Sequence, residues 1–136
     1  AQNIHRVRGE LAPPQAAQNY RAELERVLGA PPRFDLVLLG MGSDGHTASL
    51  FPGSWALEED EQTAVAVHAA HLDSWRVTLT LPVLNRARHV LFLVSGANKR
   101  AAWSRIRAGE PLPAARVCPE QGAMTWLIDK AAAGKD

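Results

Sequence analysis

Cysteine is all but absent: Cys118 stands alone among 136 residues. One thiol cannot form an internal disulfide or supply the thiolates of most zinc sites, which suits a reducing, cytoplasmic setting. Long hydrophobic runs are missing too. The longest cover about five residues, far below the roughly 20 that a membrane-crossing helix needs. The opening stretch from Ala1 to Glu10 is polar and mixed in charge, without the pattern of a signal peptide. Neither sign of charge dominates, since 15 basic side chains face 14 acidic ones for a net charge of +1. That balance excludes a chain whose bulk charge drives binding to nucleic acid or membranes. The four tryptophans (Trp55, Trp75, Trp103 and Trp126) lack the interleaved basic residues of a nucleic-acid platform. No Gly-x-x-x-x-Gly-Lys-Ser/Thr phosphate loop occurs, and no Gly-x-Ser-x-Gly elbow offers a serine nucleophile.

What is present is an ordinary globular composition, 46% apolar and 21% charged, in a length that supports one domain. Pro13 and Pro14 open a segment in which Ala17, Tyr20, Leu24, Val27 and Leu28 recur at helical spacing before Gly29 and Pro31. This spacing predicts a helix over 14–28. Phe34–Leu39 (FDLVLL) and His89–Val94 (HVLFLV) are short and nearly continuously apolar. Such runs are expected as strands of a parallel sheet covered on both faces. Thr63–Val67 and Arg76–Leu81 read as further strands, 97–107 as a helix ended by Gly109, and Met124–Ile128 as a last strand. Asp129 is placed to cap a short final helix. Alternating strands and helices indicate a layered α/β fold.

Two stretches join a strand to a helix through glycine: LLGMGSDGHTASL at 38–50 and LVSGANKRAAW at 93–103. In a parallel sheet both loops leave at the carboxyl edge, where ligands bind. Gly40, Gly42 and Gly45 permit tight turns and close approach of backbone N–H groups to an anion, although a plain strand-to-helix turn would also use them. Asp44 and His46 lie beside these glycines. Imidazole accepts protons near neutral pH, and a carboxylate can fix its tautomer; the plainer roles are a helix-start histidine and an N-cap. Lys99 and Arg100, in the second loop, suit phosphate, and Arg76 is a third cation that an ordinary ion pair would explain equally well. His68 and His71 have no partner at ligand spacing, so no metal is expected there. His5 and His89 flank structural runs.

LLGMGSDGHTASLFPGS at 38–54 closely resembles the signature stretch of the 6-phosphogluconolactonase family. The resemblance continues through RVTLTLPVLNRARHVLFLVSGANKR at 76–100 and through NIHRVRGE, LPAARV and WLIDKAA. Related sugar-phosphate isomerases and deaminases share a Gly-x-Gly-x-Asp-Gly-His turn but typically follow it with an Ala-Phe-Asn-Glu-type stretch, whereas Thr47-Ala48-Ser49-Leu50-Phe51-Pro52 stands here. The resemblance implies a three-layer α/β fold, with a mostly parallel sheet flanked by helices. It also implies hydrolysis of 6-phospho-D-glucono-1,5-lactone to 6-phosphogluconate in the oxidative pentose phosphate pathway, without cofactor or metal. Carried over by position, His46 is the general base with Asp44 in its setting, and Arg76 and Lys99 contact the sugar phosphate; backbone donors around Gly42 to Gly45, or a bound cation, are expected to hold the oxyanion. Family members usually carry a further N-terminal part facing the same crevice. Residues 1–136 are therefore expected as one α/β domain lacking the N-terminal strands, with the missing portion as its partner. Two other readings stay open. One is an isomerase or deaminase, which needs a further acid/base beside His46. The other is a non-catalytic phosphosugar-binding module, which needs no base at all.

Overall fold

A computed structural model describes residues 3–134. The chain begins with helix α1 (Pro13–Leu28), whose leading prolines occupy first-turn positions and whose end is Gly29 at φ +86°. A proline at the first helical turn loses no helical hydrogen bond, and only glycine adopts that positive φ without strain. Ahead of α1, the His5 ring meets Glu23 at 2.6 Å and docks the leading segment on the helix. Hydrogen bonds from Arg26 and then His5 hold the Glu23 carboxyl down at about 2.

Three strands, β1 (Val37–Leu39), β4 (His89–Val94) and β5 (Ala123–Ile128), form a parallel sheet in the order β1-β4-β5. The other two, β2 (Ala64–Ala69) and β3 (Ser74–Leu79), pair only with each other, antiparallel. The α/β class and the parallel pairing of the two apolar runs match expectation; the placement of 63–67 and 76–81 does not extend the parallel sheet. Their connection is too short for a crossover. It turns through Ala70–Leu72 and an Asp73 in the left-handed conformation, and so makes a hairpin. The second of these strands also stops before Leu81, because Pro82 cannot donate to a ladder and instead opens helix α2 (Leu81–Asn85). β1 is shorter than the 34–39 run. Phe34 packs on the core, and its carbonyl accepts the Arg88 amide at 2.9 Å.

After β4 the chain makes a 3-10 turn, Ala97–Lys99, and then helix α3 (Arg100–Arg107). Asp129 caps α4 (Lys130–Ala133) as expected, accepting the Ala132 amide at 2.7 Å, and its other oxygen accepts the Gly96 amide at 3.0 Å. That carboxylate ties together the loops that follow β4 and β5.

The core lies on one face of the parallel sheet. Val37, Leu39, Val90, Phe92 and Val94 point into it, together with Leu84 of α2, Ala102 of α3 and Ala132 of α4. Phe92 stacks on Trp126 at 3.9 Å, and Trp103 tilts against the same indole. Helix α1 packs on the β2–β3 hairpin, with Ala16, Ala17 and Leu24 buried. The opposite face of the parallel sheet is bare among the described residues: Leu36, Leu38, Leu93 and Leu127 are 50%, 59%, 51% and 53% exposed. Continuous hydrophobicity had implied cover on both sides. The leucines are there, and the layer that would bury them is not among these residues.

Candidate active site

β1 ends at Leu39, and the next seven residues build a tight loop. The Gly42 amide donates to the His46 carbonyl at 2.8 Å and the Gly45 amide to the Gly42 carbonyl at 3.0 Å. Thr47, fully buried, donates its hydroxyl to the Gly40 carbonyl at 2.8 Å and locks the loop to the end of β1. From the other side, Leu112 fits against Gly45, whose carbonyl accepts the Ala114 amide at 2.9 Å. Gly45 sits at φ +83°, and a Cβ there would come within 2.6 Å of Leu112. It is glycine for both reasons.

The loop turns Asp44 back onto His46. One carboxylate oxygen, Oδ1, accepts the His46 amide at 3.0 Å and meets Nδ1 of the ring at 2.6 Å. Burial pulls the Asp44 carboxyl upward, but the hydrogen bonds from the His46 amide and ring, with the ring's charge, outweigh it and leave the pKa below its ordinary value. A carboxyl group depressed in the folded state stabilises fully above its unfolded pKa, and that contribution is lost only as pH falls through the lowered folded value. The pair is therefore intact at neutral pH. An ionised carboxylate can only accept, so in the neutral imidazole Nδ1 carries the proton and Nε2, across the ring, is the nitrogen able to take one. The two side chains are 31% and 46% exposed, open enough to meet a ligand.

The loop's glycines play a different part from the one the sequence suggested. Both the Gly42 and Gly45 amides are engaged within the loop, so neither is a free oxyanion donor. Gly42 supplies room instead. A Cβ at that position would lie 2.1 Å from Nδ1 of His46 and 2.7 Å from Oδ1 of Asp44.

Lys99, half-buried, closes the 3-10 turn after β4. Because β1 and β4 are parallel neighbours, in register from Val37 with Val90 to Leu39 with Phe92, the His46 loop and the Lys99 loop leave the same edge of the sheet. Arg76 stands on β3 opposite Val67, with its guanidinium bonded to the Ser74 hydroxyl and the Trp75 carbonyl. The hairpin does reach the loop through Thr78, whose hydroxyl accepts the Ser49 amide at 3.1 Å. His68 lies 3.4 Å from Asp73 and beside Trp75, and His89 bonds Thr125 at 2.9 Å. Sequence reasoning gave no role to Thr47, Phe51 and Leu112, although all three stand inside the quoted stretches, and it weighed His71 only as a metal ligand.

A parallel sheet with a histidine–carboxylate pair on the loop at its carboxyl edge, and an ammonium on the neighbouring loop, defines an open α/β protein, a class in which ligands bind at that edge. The family of glucosamine-6-phosphate isomerases and 6-phosphogluconolactonase matches residues 1–126, and the chain belongs to it. It is 43% identical over 130 residues to the human 6-phosphogluconolactonase, covering 91% of this chain and 50% of that one. The solved structure of the devB protein superposes with a TM-score of 0.91 at 37% identity, covering 98% of this chain and 59% of that one. The 6-phosphogluconolactonase of Thermotoga maritima gives a TM-score of 0.80 at 31% identity, over 95% of this chain and 57% of the other. The chain thus spans about half the length of the relatives it matches.

Proposed function

We propose that this chain carries the base-bearing portion of a 6-phosphogluconolactonase site, hydrolysing 6-phospho-D-glucono-1,5-lactone to 6-phosphogluconate in the cytoplasm. The observation that carries the reading is the 2.6 Å contact between Asp44 Oδ1 and Nδ1 of His46, on the loop at the carboxyl edge of the sheet. A lactone is an activated ester and needs no covalent nucleophile. Nε2 of His46 takes a proton from water as the water oxygen bonds to the lactone carbonyl carbon. The tetrahedral oxyanion collapses, the ring C–O bond breaks, and the departing oxygen takes the proton back from the imidazolium. Asp44 holds the ring and stabilises its charged form throughout. Lys99, and Arg76 if its hairpin bonds are given up, serve the substrate's phosphate. The test is turnover: purified protein hydrolyses the phospholactone and does not convert glucosamine 6-phosphate. Phosphosugar binding with no turnover of either compound, measured with the remaining portion of the domain present, would overturn the reading in favour of a binding module.

Lys99→Ala is expected to act on binding. A hydrogen bond to a charged group is worth about 1.5–3 kcal/mol, so KM should rise about 10–100-fold with kcat little changed. A fall in kcat at unchanged KM would remove Lys99 from the phosphate.

Residues 1–136 act, in this reading, as the C-terminal part of a longer lactonase domain, and the partner is the polypeptide corresponding to the rest of its relatives' length. What supports this is the bare leucine face, since parallel sheets occur almost only with both faces covered and fully burying a leucine contributes about 1.5–3 kcal/mol. Mixing the chain with that remaining portion is expected to give a stable complex and a higher rate. Leu38→Lys with Leu127→Lys should abolish both gains, and a complex that tolerates these lysines would place the partner elsewhere.

A further inference from the structure

We infer that Phe51 is a positioning residue for His46, and that the β2–β3 hairpin holds it in place through His71. The contact to Asp44 holds one edge of the imidazole only while the ring keeps its place, since a swing of the side chain breaks it and frees the tautomer. Phe51 limits that swing: its ring centroid lies 4.8 Å from that of His46, at an interplanar angle of 48°. With Asp44 on Nδ1 and the Gly42 backbone too close to admit even a methyl group, the imidazole is confined on three sides.

Phe51 is itself well anchored. It follows Leu50, which is fully buried and whose amide bonds the Thr47 carbonyl at 2.9 Å, and its own carbonyl accepts the Ser54 amide at 3.0 Å. Its ring then meets His71 edge-on, with centroids 4.7 Å apart at 73°, a favoured arrangement for aromatic pairs. His71 lies in the turn of the hairpin, and the Ser49–Thr78 hydrogen bond joins the same hairpin to the same loop a second time. A separate two-stranded sheet therefore supports the histidine from outside the parallel sheet. The hairpin turn is exposed at both His71 and Leu72, so His71 has no burial of its own to satisfy there.

The kinetic consequence rests on the lactonase reading above; the structural one does not. Misplacement of a reacting group by about 1 Å can cost about 10²-fold in rate, and a ring loosened on one face should lose less. Phe51→Ala is expected to lower kcat about tenfold, with KM within twofold of the parent, and Phe51→Tyr to stay within twofold in both. The second readout is the ¹⁵N–¹H correlation spectrum of the imidazoles in the full chain. The parent protein and Phe51→Tyr should show His46 as one tautomer protonated on Nδ1, and Phe51→Ala should show averaged tautomers. A single Nδ1–H tautomer retained in Phe51→Ala would overturn the inference, as would a rise in KM with kcat intact. Should Phe51→Ala fail to fold, Phe51→Leu and His71→Ala read the same signal: averaging in either supports the assignment, and the parent pattern in both overturns it. A parent protein that leaves the lactone untouched even with the remaining portion of the domain present would sink the lactonase reading while the tautomer spectrum still decides the role of Phe51.

Discussion

His46→Ala is expected to lower kcat for lactone hydrolysis by about 10²–10⁴-fold, the range spanned by removal of a positioned general base, with KM changed only slightly. The split follows from what the imidazole touches. Its Nδ1 edge is occupied by Asp44 at 2.6 Å, and its free nitrogen meets the attacking water, a group present in the transition state and absent from the bound phosphosugar. Losing an interaction made only in the transition state lowers kcat and kcat/KM together. Stability should change little, because the ring is partly exposed and its backbone amide, which bonds Asp44, survives the substitution. Steady-state kinetics beside a thermal melt decide the matter: a full-rate His46→Ala protein removes the base assignment, and a collapsed melting transition shows the residue to be structural.

Gly42→Ala should be nearly as damaging to activity while leaving the fold standing. The added methyl carbon would sit 2.1 Å from Nδ1 and 2.2 Å from Cε1 of His46. Carbon and nitrogen cannot approach so closely, and the atoms in the way belong to a side chain that can rotate. The ring swings off Asp44 before the backbone moves. Gly42 has no positive φ, so alanine adds no backbone strain of the kind it would meet at Gly45. The expected result is a loss of about 10²-fold in kcat, as for other misplacements of about 1 Å, at a melting temperature within a few degrees of the parent. Gly45→Ala provides the contrast: it combines a positive φ with a clash against Leu112, so it should destabilise the protein as well as inactivate it. Equal loss of stability in the two variants would mean that Gly42 serves the fold and not the histidine.

These two glycines show how far a sequence carries. Gly-x-Gly-x-Asp-Gly-His marked the loop as the place for chemistry, and the parallel register of β1 and β4 put the Lys99 loop on the same edge. The spacing could not tell that the amides of Gly42 and Gly45 close the loop upon itself. An amide presented to a ligand and an amide turned inward have the same letter code. Arg76 is a similar case. It is a cation in the matched stretch, yet its guanidinium is bonded to Ser74 and Trp75 of its own strand, which the letters alone do not disclose.

What the amino-acid order determined by itself was everything carried by near neighbours. The prolines and Gly29 bound α1, Asp129 caps α4 from three residues away, the apolar runs make β1, β4 and β5, and Asp44 reaches His46 across two residues. Tertiary structure alone decided the rest: that 64–69 and 74–79 form a sheet of their own, that a row of leucines has no cover among the described residues, and that Phe51 and His71 close on the imidazole. The physical reason is range. Caps, turns and strand periodicity arise from sterics and hydrogen bonds within a few residues, whereas a packed ring or a buried face depends on which distant segment arrives beside it.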